Sequence, residues 1–150
     1  MPRRAALAAS LAAGFAALTA CSGPSDRSDA PRLDEAAYQV EVIAQGLSYP
    51  WDIAFLPGGD ILVTERSGAL RLIRDGVLQD GPVSGVPEVY FEGQAGLFDV
   101  QPAPDFEVSG LIYLTYAHGD ADENTTAVHR ARFDGERLVE GETLFAAAPT

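Results

Sequence analysis

Basic charge is scarce in this chain of 150 residues: there is no lysine, and ten arginines face 22 acidic residues for a net charge of −12. A sequence pI near 4.3 argues against capture of nucleic-acid phosphates or anionic lipid headgroups. One cysteine excludes an internal disulfide and any multi-cysteine zinc site. Two histidines leave little material for a histidine-rich metal centre, and a single asparagine, Asn124, argues against a metal cluster built from acidic residues and asparagine. No apolar run reaches the roughly 20 residues of a membrane-spanning helix. Past the N-terminus, no segment sustains the i, i+3, i+4, i+7 apolar stripe of an amphipathic helix. The hydrophobic fraction is 47%, which excludes wholesale disorder.

What is present starts with an address. Pro2-Arg3-Arg4 is a short basic opening, and Ala5 to Ala20 is an alanine-rich apolar stretch. That is the pattern of a secretory signal. Leu18-Thr19-Ala20-Cys21 resembles the lipobox of bacterial lipoproteins, which implies cleavage before Cys21 and lipid modification of its thiol. Losing residues 1–20 removes Arg3 and Arg4 and makes the mature chain still more acidic. An acyl anchor holds by buried methylenes and needs no basic residues. Residues 21–37 are small, polar and charged, with Pro24 and Pro31, and read as a flexible tether. The expectation is an exported protein, periplasmic or at the cell surface, held at a membrane by its lipid.

From residue 38 onward, short apolar runs alternate with glycine and proline turns. The expected strands are 38–43, 51–55, 61–64, 70–73, 89–91, 97–100, 111–116, 127–133 and 144–146. Turn chemistry such as Pro57-Gly58-Gly59-Asp60, Asp75-Gly76 and Asp134-Gly135 bounds them. The domain, 38–150, is all-β. It also repeats: Asp52-Ile53 and Pro57 return as Asp99-Val100 and Pro104, Ile61 and Thr64 as Ile112 and Thr115, and Arg71, Asp75 and Gly76 as Arg130, Asp134 and Gly135. The spacing grows only around 105–110 and in an expected loop at 117–125. A unit of roughly 45–50 residues holding four short strands matches a β-propeller blade. The chain from Tyr38 has room for about two and a half units, whereas propellers close with 4–8. The reading is therefore the N-terminal part of a longer protein, with two to three blades.

Several stretches also carry a family resemblance. They are Leu47-Ser48-Tyr49-Pro50-Trp51-Asp52-Ile53-Ala54-Phe55-Leu56-Pro57, Leu62-Val63-Thr64-Glu65-Arg66-Ser67-Gly68, Val83-Ser84-Gly85-Val86-Pro87 and Gly93-Gln94-Ala95-Gly96-Leu97-Phe98-Asp99-Val100 followed by Pro104-Asp105-Phe106. Together they resemble the glucose/sorbosone dehydrogenase family, which includes soluble aldose sugar dehydrogenases dependent on pyrroloquinoline quinone (PQQ). The resemblance implies a six-bladed propeller that oxidises an aldose at its anomeric carbon. It implies a histidine base, PQQ as hydride acceptor, a calcium ion and cationic side chains on the quinone's carboxylates. The partners would be an aldose and an electron acceptor that the sequence does not identify. A non-catalytic propeller lipoprotein binding carbohydrate or protein is the alternative.

Carried over residue by residue, Gln94 matches the family glutamine at the mouth of the central site, where its amide can reach quinone and sugar oxygens. The family usually has glycine where this chain has Ala95. Neither His118 nor His129 matches the family base, which the resemblance places beyond Thr150, along with the calcium ligands. Asp52 and Asp99 read as a repeated structural pair. Glu65-Arg66 reads as an ion pair holding a turn, and Trp51 as packing between blades. Asp120-Ala121-Asp122-Glu123-Asn124 has alternating oxygens like a calcium loop, but it lacks the glycine and glutamate such a loop needs and reads as a solvated strand connection.

Overall fold

The computed structural model describes residues 39–148. The signal at 1–20, Cys21 and the tether at 21–37 lie outside the described residues.

The first sheet is an antiparallel meander of β1 (Pro50–Phe55), β2 (Ile61–Glu65), β3 (Ala69–Arg74) and β4 (Val77–Leu78), in that spatial order. The turn chemistry explains the connections. The 57–60 turn is closed by Leu56 N–H to Asp60 O at 2.8 Å and Gly59 N–H to Leu56 O at 2.9 Å. Asp75 and Gly76 both take positive φ, 52° and 74°, as a two-residue hairpin loop with right-handed strand twist requires. The second sheet repeats the plan with β5 (Leu97–Pro102), β6 (Leu111–Gly119), β7 (Asn124–Phe133) and β8 (Leu138–Ala146). One short helix, α1 (Phe106–Ser109), fills the 105–110 insertion between β5 and β6. These are two β-propeller blades of an all-β domain.

Period-2 alternation decides which faces meet. Leu62, Leu70, Leu72 and Ala54 of the first sheet join Leu97, Val100, Ile112, Leu114, Tyr116, Ala127, Ala131 and Phe133 of the second in one buried cluster. Fully burying a side chain such as Leu62 or Ile112 stabilises the fold by about 1.5–3 kcal/mol. The first strand of the second sheet, β5, packs against β1 and β2. Leu97 N–H bonds to Arg66 O at 2.9 Å there. The link from β4 to β5 crosses the opposite edge, where Leu138 N–H reaches Ser84 O at 2.8 Å. It then returns past Ala117, whose carbonyl accepts Tyr90 N–H.

The structure corrects several expectations. Residues 39–43 form no strand, and Val40, Val42 and Ile43 are exposed, because no neighbouring strand pairs with them among the described residues. Residues 89–91 belong to the link rather than to a sheet. The expected loop at 117–125 is mostly hairpin: β6 and β7 stay paired to Gly119 and Asn124, leaving only a tight turn. The last strand starts at Leu138, six residues before the expected 144. The repeat also slips by one residue in its third strand. Thr64 pairs with Leu70 and Thr115 with Val128, so the counterpart of Arg71 is His129, not Arg130. A one-residue shift changes faces: Arg71 sits beside Glu65, while Arg130 pairs with Glu142 across β7 and β8.

Candidate functional site

Gln94 sits in the turn before β5, closed by Ala95 N–H to Glu92 O at 2.8 Å. Glycine flanks it for two different reasons. Gly93 has φ 55°, the left-handed region that side chains disfavour. A Cβ on Gly96 would overlap the carbonyl oxygen of Arg66, inside van der Waals contact. That close approach lets Leu97 bond to Arg66 while Gly96 O accepts Ala117 N–H at 2.8 Å, so the turn is stitched to both sheets. Ala95 is not among the residues with positive φ, so its methyl group fits where the family usually has glycine.

The Gln94 side chain is exposed, and it makes no side-chain hydrogen bond among the described residues. It lines an open groove of about 550 Å³ with Ala95, Phe98, Ala117, Asn124, Thr125, Thr126 and Ala148. The lining is uncharged: two amides and two hydroxyls face small residues and one aromatic ring. Sequence reasoning missed Asn124–Thr126 as part of this wall. The signal that finds them is register, since the paired end of β6 and β7 lies beside the Gly96–Ala117 bond. A second open groove, about 580 Å³, lies at the opposite strand ends among Leu56, Phe106, Val108 and Phe133. Its arginine, Arg132, is already paired with Glu140 at 2.9 Å, and the pairing holds that carboxylate below its ordinary pKa.

The other singled-out residues have structural positions. His118 lies one residue before the end of β6, exposed, edge-on to Tyr116 with ring centroids 5.8 Å apart. His129 is only 7% exposed, its Nδ1 is 3.4 Å from Thr143 Oγ1, and its Nε2 has no partner among the described residues. Burial lowers its pKa from the ordinary 6.5, opposed by Glu142. Asp120 accepts the N–H groups of Asp122 and Glu123 at 2.9 and 3.0 Å, which lowers its pKa and caps the hairpin turn. Among the described residues there is no group of three or more His, Cys, Asp or Glu placed to hold a metal.

Glu65, buried, accepts Ser48 N–H at 2.7 Å and pairs with Arg71 rather than with its neighbour Arg66. Arg66 instead lies over the rings of Tyr49 and Phe91, 5.8 and 5.2 Å from their centroids. Trp51 meets Phe98 of the next sheet at 5.4 Å while half its surface stays open. Asp52 and Thr64 join the sheets: Asp52 Oδ2 accepts Val100 N–H at 2.9 Å, and Thr64 Oγ1 donates to Phe98 O at 2.6 Å.

Comparison with known proteins agrees with this geometry. The family model Glucose / Sorbosone dehydrogenase matches residues 47–150. Aldose sugar dehydrogenase YliI of Escherichia coli is 41% identical over 118 residues, 76% of this chain and 32% of that protein. A solved glucose dehydrogenase superposes with TM-score 0.70 at 42% identity, covering 75% of this chain and 36% of its own. The PQQ-bound aldose sugar dehydrogenase of Streptomyces coelicolor superposes with TM-score 0.61 at 28% identity, covering 73% and 34%. The chain thus spans about a third of the length of these relatives. The match of the family model over 47–150, together with these relatives, shows that the chain belongs to the glucose/sorbosone dehydrogenase family.

Proposed function

We propose that this chain is the N-terminal part of an exported, lipid-anchored quinoprotein that oxidises aldose sugars at the anomeric carbon, using PQQ and calcium. The observation that carries the reading is the exposed Gln94 amide, held by a glycine turn that joins two blades, in a family with a PQQ-bound relative.

The residues present fit one edge of such a cofactor. Gln94 offers a donor and an acceptor at a groove whose small residues, Ala95 and Ala117, leave room for a planar ring system. Phe98 supplies an apolar wall. Among the described residues the groove carries no cation, so the grip on the quinone's carboxylates is assigned to residues beyond Thr150, as are the base and the calcium ligands. When bound, PQQ supplies the hydride acceptor. This chain's part is orientation: the Gln94 amide fixes a quinone or sugar oxygen, and the stitched turn keeps it from moving. A neutral sugar is not repelled by an acidic protein.

The test uses the full-length protein reconstituted with PQQ and calcium, which should reduce a redox dye in the presence of an aldose. No turnover across a broad sugar panel would remove the enzymatic reading, while residues 21–150 alone should be inactive. For the anchor, Cys21→Ser should release the protein from membranes, and persistent association would count against lipidation.

A further inference from the structure

The seam between the two sheets has an unused copy. Asp52 N–H bonds to Thr64 Oγ1 at 3.0 Å, and Asp99 N–H bonds to Thr115 Oγ1 at the same distance. In the first sheet the remaining groups reach outward. The Asp52 carboxylate takes Val100 N–H and the Thr64 hydroxyl gives to Phe98 O, so the pair grips the backbone on either side of Asp99. In the second sheet the same groups turn on each other: Thr115 Oγ1 donates to Asp99 Oδ2 at 3.3 Å, and Asp99 is exposed.

Alternation places Thr115 and Tyr113 opposite Ile112 and Leu114, hence on the face turned away from the first sheet. By register, Tyr113 stands where the first sheet has Leu62, and Val128 where it has Leu70, the residues that receive the second sheet. Val128 pairs with Phe145, which is exposed.

We infer that Asp99 and Thr115 form a latch for a third four-stranded unit of the same polypeptide. The latch grips that unit's first strand by the N–H and C=O flanking the residue equivalent to Asp99, with Tyr113, Val128 and Phe145 as the apolar floor. This rests on the proposed reading of a longer chain, consistent with a span of about a third of the relatives' length. Docking exchanges the Thr115–Asp99 hydrogen bond for two bonds across the seam, as in the pair already formed.

The test is amide hydrogen exchange and thermal unfolding of the full-length protein. Asp99→Ala is compared with Asp52→Ala as the internal reference and Gln101→Ala as a nearby exposed control. Asp99→Ala should speed exchange about tenfold or more in one peptide beyond residue 150 and lower the unfolding midpoint, as Asp52→Ala should within 97–102. Gln101→Ala should change neither. If Asp99→Ala does not fold, Asp99→Asn, which keeps one acceptor oxygen, should show the same peptide with a smaller change. An Asp99 variant indistinguishable from Gln101→Ala overturns the latch. A concentration-dependent dimer that Asp99→Ala dissociates assigns the face to a second copy and also overturns it. An intact mass showing no residues beyond Thr150 would refute the longer-chain reading itself, whereas a longer chain with a silent Asp99 overturns only the latch.

Discussion

Asp52 and Val100 lie in different sheets, yet the carboxylate of one accepts the backbone N–H of the other at 2.9 Å. The bond is possible because β1 and β5 are both bulged at this level, between Pro50 and Asp52 and between Leu97 and Val100. A bulge leaves backbone groups without ladder partners and re-aims them. Here they meet across the seam.

Thr64 completes that seam, fully buried, accepting from Asp52 N–H and donating to Phe98 O. Thr64→Val keeps the shape and removes both bonds, leaving two polar backbone groups unpaired. The expected loss is about 2 kcal/mol in denaturant unfolding, and Thr64→Ser should recover most of it. An unfolding midpoint unchanged in Thr64→Val would show that the seam does not depend on this hydroxyl.

The two glycines around Gln94 should respond differently. Gly96→Ala drives a methyl group into Arg66 and should cost about 3 kcal/mol. Gly93 has open space around its Cβ position and is restricted only by φ 55°, so Gly93→Ala should cost about 1 kcal/mol. Thermal unfolding of the two variants orders them, and equal losses would contradict the close approach.

Gln94→Ala removes an exposed amide without touching the core. The unfolding midpoint should stay put while PQQ affinity, read by fluorescence titration of the full-length protein, weakens about tenfold for one or two lost hydrogen bonds. Unchanged affinity would take Gln94 out of the site.

His129 makes stability depend on pH. Burial disfavours its charged form, so its folded pKa lies below the ordinary 6.5. Below about pH 6.5 the unfolded chain binds the proton first, and the stabilisation present above that pH is lost as the pH falls toward the folded value. Glu142 opposes the shift but does not reverse it. Urea midpoints at pH 7.5 and 5.5 should fall further for the native protein than for His129→Leu. Parallel falls would mean that the imidazole is not buried neutral. The pocket is tight on that side, since a Cβ on Gly141 would lie 2.6 Å from His129 Nε2.

Strand positions were legible wherever turn chemistry bounded an alternating run, as at 51–55, 61–64 and 111–116. Alternation failed at 39–43, where the pattern is present but no partner strand lies among the described residues, because a strand exists only by pairing. It also failed at Leu138–Thr143, which fell between the expected strands 127–133 and 144–146. Pairing with β7, with two irregularities in register, makes them strand.

For the site, it was the family resemblance of Gly93-Gln94-Ala95-Gly96 that marked the turn; the residue pattern by itself shows only a glycine-rich connection between strands. Which glycine is sterically required was not in the pattern, since the obstacle to a side chain at Gly96 is a carbonyl thirty residues earlier. The groove wall at Asn124–Thr126 was likewise invisible, because hairpin register brings it there. Sequence alone determined the all-β class and the recurrence of Asp52 and Thr64 as Asp99 and Thr115, since these follow from local alternation and recurring residues; Gln94 was singled out by the family resemblance of its stretch. Tertiary structure decided which Asp–Thr pair is engaged and which stands open, because a hydrogen bond across two sheets depends on where separate strands come to rest.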